Sequence, residues 1–318
     1  MRSIGLPSRS AWWLSIRGAR RRDREGPRSP ARSPCSSLWR GSPPRRELGG
    51  HGEALLATLR GVPAPLEALA AIARLPDMSL SRRVDFERNR PSIQFVLYDM
   101  LRQEQALAAE PQLEGRSEAA RILDLVQMAY GELVGLLIGR ADELLESARD
   151  GEWRLRDLLR HAIAVELRYA AQVEWSATRN DDEPLAIPDV RLPCDRLSPT
   201  EPEFADSRTG GMTRLLELLG VARARSDQRL GRIPDGVLGR PSLWGTLQLT
   251  LRMRLHQMAA HLTEVVIQSE KCLALGTPDS EVRRIIRHCC RMRGAHERWS
   301  AADTRALLDT AYGRLAGA

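Results

Sequence analysis

Residues Arg254–Lys271, RLHQMAAHLTEVVIQSEK, decide how the rest of the chain is read. The spacing predicts a helix, because Leu255, Met258, Leu262, Val265 and Val266 recur at i, i+3, i+4 intervals. His261 and Gln268 are seven residues apart, two helical turns, and share a face with Val265 between them. A histidine followed one turn later by a second ligand is a common way for a helix to hold a metal. Three readings are therefore open: a metal site, a damaged one, or a histidine packed in a core.

Composition sets the fold class. Apolar residues make up 42% of the 318 residues but aromatics only 4%, so a core must rest on Leu, Ala, Val and Ile. Leu, Ala, Arg and Glu favour helices, whereas strands draw on β-branched and aromatic residues. The chain reads as all-α.

The net charge of +7 is unevenly distributed. Residues 1–50 hold twelve Arg against Asp23, Glu25 and Glu47, a net +9, which leaves residues 51–318 at −2. The basicity belongs to the leader and gives the remainder no nucleic-acid footprint. Lys271 is the only lysine beside 47 arginines, which reads as a GC-rich, bacterial coding bias. Residues 1–50 are so rich in Arg, Ser, Pro and Gly that they cannot offset their ordering entropy, and disorder is expected there. That leader is a tail without a role, translated upstream sequence, an organelle transit peptide or a nucleic-acid arm. The absence of aromatic interleaving or repeats weighs against the last. Five scattered cysteines (Cys35, Cys194, Cys272, Cys289, Cys290) form no disulfide framework and point to a reducing, cytoplasmic setting. No apolar run approaches the roughly 18–20 residues that span a bilayer, so no membrane partner is expected.

Periodicity then divides the chain. Residues 51–116 form a helical extension containing "GEALLATLRG", "LEALAAIARL" and "SIQFVLYDMLRQEQALAA", punctuated by Pro63, Pro65, Pro76 and Pro91. Residues 117–276 hold four long amphipathic helices, near Ser117–Ala148, Arg154–Thr178, Met212–Gly231 and Thr246–Leu275. A Pro-rich connection over Asp181–Thr209 is too polar and broken for regular structure, and "IPDGVLGRPSLWG" reads as a loop. Gly276 and Pro278 suit the end of the fourth helix. Residues 277–318 add two helices, around Ser280–Met292 and Ala301–Leu315. A short first loop, a long second loop and four amphipathic helices imply a four-helix bundle with one longer crossover.

Bundle interiors host metals because inward side chains from facing helices converge there. His161, within LLRHAIAVELRY, is the second candidate beside His261; it either ligates a metal or is satisfied by a hydrogen bond in the core. At this point the sequence resembles the DinB-like (DinB/YfiT-like) superfamily. In GEWRLRDLLRHAIAVELRYAAQVEWSA, Trp153, His161 and Glu166 occupy the places of that family's second-helix signature. His261, Gln268 and Gly276 match its fourth-helix frame, and "RMRGAHE", ending at Glu297, fits its tail. The resemblance implies a cytoplasmic four-helix bundle, often a homodimer. It also implies a divalent metal such as Zn or Ni on one second-helix and two fourth-helix histidines. Characterised relatives are transferases and isomerases acting with low-molecular-weight thiols, in which the metal lowers the pKa of a bound water or thiol.

The departure falls on the decisive position. The second fourth-helix ligand belongs three residues before Gln268, where this chain has Val265, which cannot ligate. Loss of a ligand should cost at least the roughly 10–100-fold in affinity that losing an outer-shell partner costs. Glu264, at i+3 from His261, lies about 100° off the Val265 direction. Gln257 offers a neutral amide, a poor transition-metal ligand. His256 lies about 140° round the helix from His261.

The leading expectation is a degenerate metal site, binding metal weakly or not at all, in a bundle cleft that takes a small molecule or thiol. One alternative is an active metal-dependent thiol transferase or hydrolase using His161, His261 and Glu264. Another is a non-enzymatic oligomerising helical module. "RHCC" at Arg287–Cys290, near His296, invites zinc, yet adjacent helical cysteines diverge by about 100° and no second Cys/His pair is suitably spaced. Phosphate-loop, nucleophile-elbow and HExxH motifs are absent from the sequence.

Overall fold

The computed structural model describes residues 65–86, 90–108, 115–148, 152–195, 197–274 and 279–318, all within one compact unit, 57–318. The leader, "GEALLATLRG" and the stop at Gly276–Pro278 lie outside the described residues. The described part is mostly helical: α1 Pro65–Ala73, α2 Ile93–Ala108, α3 Glu118–Leu137, α4 Leu155–Thr178, α5 Met212–Leu230, α6 Leu251–Leu273, α7 Glu281–His296 and α8 Ala302–Ala316. No described helix is long and apolar enough to cross a membrane.

Four of these, α3 to α6, are the long helices of the sequence reading. Helices α3 and α4 each pack against both α5 and α6, which closes a ring in the order α3, α6, α4, α5. Helix α4 runs antiparallel to α6: Trp153 lies by Cys272, His161 by His261, and Tyr169 by Arg254. The leucines, isoleucines and valines of α3 to α6 fill the centre, with Leu123, Leu133, Ile163, Leu215, Leu219, Leu255 and Leu262 all buried. Each fully buried side chain of this kind contributes about 1.5–3 kcal/mol.

Two boundaries differ from the sequence expectation. Helix α3 ends at Leu137 rather than near Ala148. Gly139 follows at φ +69, a left-handed conformation in which a side chain is strained, and its Cα faces the Ala70 carbonyl of α1 so closely that a Cβ would stand 2.7 Å from that oxygen. A 3₁₀ segment, Asp142–Glu146, then turns the chain into α4. Helix α6 begins at Leu251, not Thr246, because "GVLGRPSLWG" is not a plain loop. It contains strand β1, Pro241–Trp244, which pairs antiparallel with β2, Leu247–Thr250, around Gly245 at φ +59. Thr250 ends the hairpin and caps α6, its hydroxyl accepting from the Met253 amide at 3.3 Å. The crossover 181–209 is mostly irregular, with 3₁₀ turns at Asp189–Arg191 and Pro202–Arg208.

The flanking helices belong to the same core. Helix α7 lies along α3, α2 covers α7, and α8 packs on α1 and α2. Distant aspartates close several helix starts. Asp235 accepts from the Glu118 and Ala119 amides of α3 at 2.8 and 3.0 Å. Asp142 accepts from Met212 of α5 at 2.7 Å. Asp77 accepts from Glu281 and Val282 of α7 at 3.0 and 3.2 Å. Each satisfies amides that have no partner inside their helix and sets a negative charge at the positive end of the helix dipole.

Candidate functional site

The face of α4 that carries His161 also carries Tyr169, eight residues on, and meets the His261 face of α6. The two imidazoles sit edge to face, ring centres 5.4 Å apart at 70°. Trp153, just before α4, stands perpendicular to His161 at 4.8 Å, and Tyr169 tilts against His261 at 5.8 Å. Beyond Tyr169 the Arg254 guanidinium lies over its ring at 4.2 Å. These contacts make a continuous row, Trp153, His161, His261, Tyr169, Arg254. Trp153 is 45% exposed and the imidazoles and Tyr169 are partly so, whereas Arg254 is buried.

Burial, and to a lesser extent the neighbouring His161, hold the His261 pKa far down, to about 3. At neutral pH His261 is therefore an uncharged ring. Such a ring is a weak proton acceptor as a base but a ready hydrogen-bond acceptor or ligand, since metal ligation needs neutral imidazole.

The sequence-predicted residues divide around this pair. Val265, one turn after His261, is buried at 1% exposure and presents only methyl groups. Glu264 and His256 are exposed on α6. Gln257 accepts from Arg254, and Gln268 accepts from Lys271 at 3.1 Å. Glu166 does not join the histidines; it is buried against Arg223 of α5 at 2.5 Å, and Arg223 also donates to Asp227 at 2.9 Å. Two rings sharing one tetrahedral ion have centres about 5 Å apart, given metal–nitrogen bonds of about 2.0–2.1 Å, so the histidine pair is spaced for two positions of such a centre. The third is missing: among the described residues no three His, Cys, Asp or Glu side chains converge as a metal-binding group. The donor set does not fit a three-ligand centre.

The second cluster of the sequence lies elsewhere. Cys289 and Cys290 are buried on α7, and burial raises both thiol pKa values, that of Cys289 to about 12. His296 is fully buried between Glu104 of α2, at 2.5 Å, and Ser300, at 3.0 Å. The acid loop Asp181–Glu183 lies at the surface, Asp181 pairing with Arg240 at 3.1 Å. Sequence reading named His161 and His261 but passed over Tyr169 and Arg254. Their signal was positional: Tyr169 is eight residues from His161 and Arg254 seven from His261, each about two turns along the same helix stripe.

Comparison of the chain with protein-family models, curated proteins and solved structures gave no match.

Proposed function

We propose that the chain is a DinB-like four-helix-bundle protein whose α4–α6 cleft binds a small molecule or thiol at His161 and His261, with its metal site degenerate at Val265. The observation that carries this reading is the contact of the two imidazoles across the helices, with a buried valine where the third ligand belongs. The closed ring of α3 to α6 supports the bundle assignment. A neutral His261 beside His161 accepts a hydrogen bond from a thiol or hydroxyl, and Trp153 and Tyr169 supply flat apolar walls. A thiol transferase or hydrolase with Glu264 as third ligand would need that side chain to leave its solvent-exposed position.

Metal analysis of the full chain, purified without a histidine tag, tests the reading. The expected result is well under one equivalent of Zn or Ni. A stoichiometric ion that is lost in His261→Ala would overturn the degenerate site, and its loss together with activity in Glu264→Gln would establish the metal-dependent alternative. The homodimer implied by the resemblance is measured by light scattering on the full chain and on residues 51–318, which also shows whether the leader contributes to assembly.

A further inference from the structure

Among the described residues, Arg254 is a buried cation satisfied by neither an acid nor a backbone carbonyl. It is 2% exposed, yet among the described residues it makes no ion pair. Its partners are Tyr169, through the ring face and a side-chain hydrogen bond, and the side-chain oxygen of Gln257, and its Nε is buried without a hydrogen bond. Arg223, equally buried, faces Glu166 and Asp227. Arg179 donates to the carbonyls of Asn180 and Glu183. Burying a guanidinium without a counter-charge is unfavourable, and burial depresses its pKa accordingly. The row of rings runs from this cation to the two imidazoles. Seven residues of α6 separate Arg254 from His261, about 10 Å along the helix axis.

We propose that Arg254 anchors the carboxylate of an organic acid whose other end lies along Tyr169 and reaches His261 and His161. The guanidinium fork matches a carboxylate bidentately, and in a site shielded from water such a pair is strong. Gln257 and Tyr169, both partly exposed, cover the guanidinium and are the side chains that yield to an entering acid. The ligand class follows from these groups: a monoanionic carboxylic acid with an apolar or aromatic body about 10 Å long. This assignment rests on the reading of the α4–α6 cleft as a small-molecule site, and it names the ligand's charged end.

The test titrates the full chain in EDTA, so that no metal holds the acid, with 4-phenylbutyrate and its neutral analogue 4-phenylbutanamide, read by calorimetry and melting temperature. The acid is expected to bind at least ten-fold more tightly than the amide. Arg254→Met should reduce the acid to the amide's affinity, and Arg254→Lys should keep part of the preference. Without ligand, Arg254→Met should melt no lower than the unaltered protein, because it removes a buried charge that has no counter-ion. Equal binding of acid and amide, no binding of either, or an acid preference surviving Arg254→Met overturns the proposal. So does an equal rise in melting temperature with chloride or inorganic phosphate. The double variant His161→Gln/His261→Gln separates this proposal from the reading beneath it. Weaker binding of acid and amide alike supports the cleft, whereas unchanged binding with the acid preference intact overturns the histidine end and leaves the Arg254 anchor standing.

Discussion

His261 shows how burial, more than a charged neighbour, sets a residue's chemistry. Desolvation lowers its pKa from the ordinary value near 6.5 to about 3, so the folded protein releases a proton that the unfolded chain binds below pH 6.5. Stability from this residue is complete above pH 6.5 and declines as pH falls towards 3, by up to about 1.4 kcal/mol per pH unit. Chemical denaturation between pH 7.5 and 4.5 should show this slope, and His261→Gln should flatten it; identical slopes would contradict the buried neutral state. Glu166 carries the opposite lesson, since it lies five residues after His161 on the same helix whereas its partner is Arg223. Removing one member of a fully buried ion pair costs about 3–5 kcal/mol. Glu166→Ala should cost about that much in urea denaturation; an unchanged denaturation midpoint would contradict the buried pair. The sequence exposed both histidines because they stand out on apolar helix faces. Arg254 was hidden among 47 arginines, and only the packing shows that it lacks an acid among the described residues.

Among the elements, α3 departs furthest from a simple amphipathic helix. Sequence periodicity marks one apolar stripe, but α3 is also buried on its other side, where Gly131 and Gly135 face α7. A Cβ on Gly135 would stand 2.6 Å from the Arg287 Cα and 2.9 Å from its carbonyl oxygen, and one on Gly294 of α7 would meet the Gln127 carbonyl at 2.5 Å. The helices approach at backbone distance because these positions lack side chains. On an exposed helix Gly→Ala stabilises by about 1 kcal/mol. Here Gly135→Ala should destabilise by about 1–3 kcal/mol through overpacking; thermal or urea unfolding that shows a gain would contradict the close α3–α7 contact. The helix starts were only partly legible. Ser117, Thr250 and Ser280 cap their own helices as local sequence suggests, through Ala120, Met253 and Arg283 amides. Asp77, Asp142 and Asp235 cap helices far along the chain, and no local pattern reveals that.

At the scale of the molecule, the segments that the sequence separates as 51–116, 117–276 and 277–318 share one core in the described residues. Arg298, just after α7, donates to Asp227 of α5 and Asp124 of α3, both at 2.6 Å, and to the Ala120 carbonyl at 2.7 Å. Glu104 of α2 receives His296 at 2.5 Å and the Tyr312 hydroxyl of α8 at 3.2 Å. A chain cut at residue 276 would expose the glycine face of α3 and leave Asp124 and Asp227 without Arg298. Such a fragment should lose the cooperative thermal transition seen by circular dichroism in the full chain, whereas residues 57–318 should melt in one step; a cooperative fragment 57–276 would show that the C-terminal helices are dispensable.

The sequence by itself determined the helical class, the four long helices and the two histidines, because these depend on propensity and on the 3.6-residue repeat, which are local. It could not determine where α3 stops or that a hairpin precedes α6. The approach of Gly139 to Ala70 and the strand pairing across Gly245 are contacts between separate segments. Nor could it show that Glu166 belongs to Arg223 while Arg254 meets no acid among the described residues, because a charge acquires its meaning from what packing brings within a few ångströms of it. The valine between His261 and Gln268 was legible as a residue; that it is buried on the helix whose His261 touches His161, with a buried guanidinium two turns away that meets only Tyr169 and Gln257 among the described residues, is what the tertiary structure decided.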